Sequence, residues 1–116
     1  MSAETHHYYG FSLTEEFSDI RKAMAEVTGT PGRFDLARYV QDNNIGESHY
    51  DGGGWGQVTY IGRDVPMSER GIYVTDELEA EVRKLVADLP DDLKSALAKV
   101  FGNVPEPKFN YEESYG

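Results

Sequence analysis

Two short stretches hold the residues best suited to touch another molecule. Tyr50, Asp51 and Trp55 stand among Gly52, Gly53, Gly54 and Gly56. Consecutive glycines open positive φ and let a second surface approach the main chain closely, so a ring held among them is placed to bind. An indole and a phenol beside a carboxylate are also the side chains enriched in interface hot spots. The other stretch lies near the C-terminus, where Phe109, Tyr111 and Tyr115 are interleaved with Glu112 and Glu113. Aromatic anchors in an extended acidic segment suit capture by a basic, grooved surface. Each stretch has a structural alternative. Trp55 can be a core residue behind a glycine turn, and the C-terminal aromatics can pack back on their own domain.

Catalytic and metal chemistry find less support. His49 near Asp51 has the composition of a general-base pair, since a carboxylate orients an imidazole and raises its basicity, but no nucleophile or oxyanion-stabilising motif accompanies it. His6 and His7 are adjacent, so a strand points them to opposite faces, and His49 is far from both in sequence. The glycine run lacks the Lys-Ser/Thr of a phosphate loop and leads into a strand rather than a helix. The chain has no cysteine, which removes disulfides, thiol catalysis and cysteine-ligated zinc. The expectation is a protein without cofactor or metal, and non-enzymatic.

The segment Tyr50-Asp51-Gly52-Gly53-Gly54-Trp55, after a short helix and before an aromatic strand, resembles the Tyr-Asp-Gly-Gly-aromatic-Trp segment of plasmid anti-restriction proteins of the KlcA/ArdB type. Gly54 stands where that family carries an aromatic. Ile61-Gly62-Arg63-Asp64 occupies the place of its Leu-Ser-Asn-Gly-Gly turn. The resemblance implies a mobile-element protein that blunts host restriction.

The elements that must position these stretches follow from periodicity. Leu13, Phe17, Ile20, Met24 and Val27 recur at spacings of four and three, which predicts an amphipathic helix, with Ser12 and Glu15 at capping-box spacing and Gly29 and Pro31 closing it. A shorter helix is predicted from Arg33 to Asn43. Gln57 to Ile61 and Gly71 to Val74 read as two antiparallel strands joined by a loop with Pro66 and Met67 near its tip, and His6 to Phe11 as a third strand at an edge. Thr75 or Asp76 caps a helix whose buried stripe is Leu78, Val82, Leu85, Val86 and Leu89. Pro90 interrupts it, and Leu93, Ala96, Leu97, Val100 and Phe101 define a second helix stopped at Gly102-Asn103, giving a helical hairpin. The prolines that follow disfavour helix. The expected fold is α+β, with about four helices and a small two- or three-stranded antiparallel sheet. The expected division is a domain over 1–103 and an extended arm over 104–116.

Composition bounds the partners. At 116 residues the chain supports one core, and a mean hydropathy of −0.59 marks a largely polar surface. With 21 acidic against 11 basic side chains, the net charge is −10. Direct binding to nucleic acid is therefore disfavoured, because it draws on Lys and Arg displacing counterions, and a protein with a basic surface is the natural partner. The absence of a long apolar run and of a signal-peptide pattern gives a cytoplasmic reading with no membrane contact. Together these features predict a small acidic interaction protein, encoded by a phage or plasmid, that inhibits a nucleic-acid-targeting defence complex such as a restriction or CRISPR assembly. The alternatives are an accessory subunit docked through its C-terminal arm, and a small enzyme using His49 and Asp51.

Overall fold

The computed structural model describes residues 3–49 and 58–115. Tyr50, Asp51, Gly52, Gly53 and Trp55 lie outside that range. In chain order the elements are β1 (Ala3–Ser12), α1 (Phe17–Thr28), α2 (Leu36–Asp42), β2 (Gly46–His49), β3 (Val58–Asp64), β4 (Met67–Ser68), β5 (Gly71–Ile72), α3 (Asp76–Ala87), α4 (Asp91–Phe101) and β6 (Lys108–Tyr115). The fold is α+β, as the periodicity predicts. Its main sheet is antiparallel in the order β2-β3-β1-β6, and β4 with β5 forms a separate ladder.

The helices follow their apolar stripes. In α1, Ile20, Ala23 and Met24 face the core with Leu36 and Val40 of α2 and Leu93, Ala96 and Leu97 of α4. Gly29 ends α1 in the left-handed region at φ 70°, a conformation that costs a residue without Cβ little. Thr75 caps α3 by accepting from the Leu78 N–H at 3.1 Å, and Asp35 caps α2 through the Arg38 N–H at 3.1 Å. The predicted Ser12 cap is corrected. The Leu13 N–H still bonds the Thr59 carbonyl at 2.8 Å, so the chain stays extended through Leu13, and α1 begins after Glu16 without a side-chain cap. Val27, the last position of the predicted stripe, is 42% exposed.

The sheet differs more from the sequence reading. It has four strands rather than two or three, and β1 lies in its interior rather than at an edge. Tyr8 and Tyr9 show why: consecutive strand residues point to opposite faces, and both are buried, which only a strand covered on both faces achieves. The C-terminal segment is extended, but it is built into the sheet as β6, paired with β1 from Ala3↔Tyr115 to Gly10↔Lys108. The Gly71 segment does not pair with β3, whose two edges are taken by β1 and β2. It folds back on Met67–Ser68 as a short hairpin instead, so Met67 belongs to a strand and not to the loop tip.

One face of the sheet carries Tyr9, Phe11 and Ile61 into clusters shared with the helices. The other face carries Tyr8, Val58 and Tyr60, a cluster that no described helix residue joins, and yet both tyrosines are fully buried. The sheet curls over that face. His6 and His49 stack with centroids 4.2 Å apart, although β3 lies between their strands and neighbouring strands are spaced by about 4.8 Å. The Ser12 hydroxyl reaches Oε1 of Glu112 at 3.0 Å, although Glu112 sits opposite His6, about 20 Å along a flat strand. The bend falls at the Gly10–Gly62 pair, where φ is +154° and +135° and an added Cβ would stand 1.8 Å and 2.0 Å from the carbonyl oxygens of Ile61 and Tyr9.

Candidate functional site: the aromatic face of the edge strand

Register sorts β6 into two sets. Lys108, Asn110 and Glu112 lie opposite Gly10, Tyr8 and His6 and share the curled face, whereas Phe109, Tyr111 and Glu113 lie opposite Tyr9, His7 and Thr5 on the face that bears the helices. The helices stop short of the second set. Phe109 is 43% and Tyr111 65% exposed, and the His7 ring lies beside both, each centroid 6.1 Å away. His7 is also in the wall of a cleft of about 320 Å³ with Thr5, Val65, Met67 and Ile72. Across it the β4–β5 hairpin presents Met67, 76% exposed, and Tyr73, the residue after that hairpin, is 53% exposed. The outcome is a band of exposed aromatic and apolar side chains running from β6 over His7 to the hairpin.

Glu112 does different work. It accepts from the Tyr8 hydroxyl at 2.6 Å and from Ser12 at 3.0 Å, so this predicted partner-binding carboxylate is occupied inside the fold. Across the same face the Tyr60 hydroxyl donates to Asp64, and the Tyr8 and Tyr60 rings stack with centroids 4.0 Å apart and planes 6° from parallel. Burial, reinforced by the neighbouring carboxylate, pushes both phenols well above the ordinary tyrosine range. Neither offers a phenolate near neutral pH. Tyr115 is placed opposite Ala3 in the ladder, and Glu113 is exposed on the aromatic face.

The histidines separate as adjacent strand residues must, His7 to the aromatic band and His6 to the curled face. There the fold brings His6 onto His49, a contact that sequence distance concealed and that no local pattern could have signalled. The Nε2 atom of His49 is buried with no hydrogen-bond partner among the described residues. Asp51, its partner in the small-enzyme alternative, lies outside them. Among the described residues no group of three or more His, Cys, Asp or Glu side chains is arranged to hold a metal ion, and no helix is long and apolar enough to cross a membrane.

Charge is distributed unevenly. Arg38, Arg63, Arg83 and Lys99 are each paired with a carboxylate, Asp42, Glu81, Glu79 and Glu26 respectively, the Glu79–Arg83 pair at i,i+4 spacing. Asp76, Glu77, Asp88, Asp91 and Asp92 are all exposed along α3, α4 and their junction. They leave that hairpin acidic even where its cations are present. Compared with protein-family models, with curated proteins and with solved structures, the chain matches none.

Proposed function

We propose that this chain is a non-enzymatic interaction protein that docks on a protein of basic surface through Phe109, Tyr111 and His7. The observation that carries the reading is the exposure of two neighbouring aromatics on one strand face in a chain of net charge −10. Exposed rings of this kind are the anchors that supply most of the free energy of an interface, while surrounding charge sets its orientation and association rate. A basic groove that normally holds phosphates is the surface such a molecule complements best. The proposal therefore extends to a phage- or plasmid-encoded inhibitor of a nucleic-acid-targeting defence complex. The accessory-subunit reading uses the same face, because β6 is part of the sheet and its backbone is not available as a loose strap.

Capture from nuclease-treated lysate, followed by a cleavage assay on the captured complex, tests this. Inhibition that weakens as salt rises from 0.05 to 0.5 M supports it, since charge pairs at a surface are screened beyond about 10 Å at 0.1 M salt. Recovery of a metabolic enzyme whose activity requires the chain supports the subunit reading instead. Undiminished capture by Tyr111→Ala removes the aromatic face from either account.

A further inference from the structure

The backbone of β6 can be assigned a direction residue by residue. The His7 carbonyl accepts from the Val65 N–H at 2.8 Å, and the Leu13 N–H donates to Thr59 at 2.8 Å, so odd-numbered residues of β1 turn their backbone groups toward β3. Alternation turns His6, Tyr8 and Gly10 toward β6, where they meet Glu112, Asn110 and Lys108. Phe109 and Tyr111 therefore direct their N–H and C=O groups away from the sheet. No described strand lies beyond them. An edge with free polar groups is a template for a further strand.

Chemistry selects the occupant. A strand laid beside β6 would bring every second side chain against the exposed rings of Phe109 and Tyr111, whose faces attract cations. On the face that bears Phe109 and Tyr111 the strand carries Glu113 and no cation, in a chain of net charge −10. That excess opposes edge-to-edge pairing of two copies and favours a basic segment. We infer that β6 receives an extended Arg- or Lys-alternating segment of the partner by β-strand addition, with its cationic side chains over Phe109 and Tyr111. This rests on the aromatic-face reading above and adds main-chain recognition to it.

The test titrates the full-length ¹⁵N-labelled protein with an acetylated, amidated Arg-Val octapeptide of strict alternation, followed by amide shifts and hydrogen exchange. Two further peptides are N-methylated, one at every arginine and one at every valine. Only one edge of an added strand faces β6, so one methylated peptide should bind at least tenfold more weakly while the other binds like the parent. The Phe109 and Tyr111 amides should become protected. Phe109→Pro, whose missing N–H points outward and leaves the β1 ladder whole, should bind at least tenfold more weakly than Phe109→Ala. Equal binding of all three peptides, with loss on Tyr111→Ala, would leave the aromatic face standing and overturn strand addition. The inference also falls if a Glu-Val octapeptide binds as well, if the parent peptide does not bind at millimolar concentration, or if sedimentation shows a dimer of the protein that the peptide leaves unchanged.

Discussion

The Tyr8 hydroxyl donates to Glu112 at 2.6 Å across 104 residues of sequence, fastening β1 to β6. The bond lies under a stacked ring, Tyr60, and beside the Ser12 hydroxyl, which bonds the other oxygen of the same carboxylate. β1 and β6 thus meet in one partly buried polar cluster, and β6 is a structural part of the domain.

Deleting residues 108–116 is accordingly expected to destabilise the fold. It removes the whole ladder from Ala3↔Tyr115 to Gly10↔Lys108, strips the partner from the buried Tyr8 hydroxyl and bares an interior strand. A buried donor left unpaired costs about 1–3 kcal/mol by itself, against a total stability of about 5–15 kcal/mol for domains in general. Circular dichroism melts of the truncated chain should show a large loss of melting temperature or no cooperative transition. A melt within a few degrees of the full chain would contradict the role given to β6.

Alkaline pH should weaken the protein through Tyr8 and Tyr60. Both phenols titrate higher in the folded state than an ordinary tyrosine, so above about pH 10 the unfolded chain releases protons that the folded chain keeps. Their contribution is fully present below pH 10 and declines as pH rises, by up to about 1.4 kcal/mol per pH unit for each phenol. Urea midpoints between pH 9 and 11 measure the slope. Tyr8→Phe should lower the midpoint at pH 7 and flatten the alkaline decline, and an unchanged slope in that variant would exclude Tyr8 as a source.

Gly62→Ala should be among the most damaging single substitutions. Its φ of +135° is strained for any residue with a Cβ, and the added methyl would meet the Tyr9 carbonyl oxygen at 2.0 Å. Backbone strain and overpacking together predict a loss of about 3 kcal/mol or more. Gly32→Ala is the control: its φ is also positive, at +79°, but nothing lies within 4 Å of the added atom, so it should cost only the conformational part. Equal losses would show that the close approach of β1 and β3 is not what requires glycine at position 62.

Tyr111→Ala should separate binding from folding. Because the side chain is 65% exposed, its removal is expected to change stability within about 0.5 kcal/mol while weakening capture of the basic partner by about 2 kcal/mol, the scale of a hot spot. Urea denaturation and affinity measured on the same preparation check both halves. A stability loss of core magnitude would reassign Tyr111 to packing.

The sequence by itself determined the mixed α+β class, the faces of α1, α3 and α4, a cap at Thr75 or Asp76, the acidic balance and the opposite pointing of His6 and His7. All of these depend on periodicity, charge or local capping, whose ranges are a few residues. The aromatic segment from Phe109 to Tyr115 was legible as extended for the same reason. Only the tertiary structure decided that it pairs with β1, that Glu112 is turned inward while Phe109 and Tyr111 stay outside, that Gly71 pairs with Met67 rather than with β3, and that His49 lies against His6. A strand carries a period but no label for its partner. Partners are chosen by long-range burial and by which edges remain open, and here the curl at Gly10 and Gly62 brings together side chains that neither sequence distance nor a flat sheet would join.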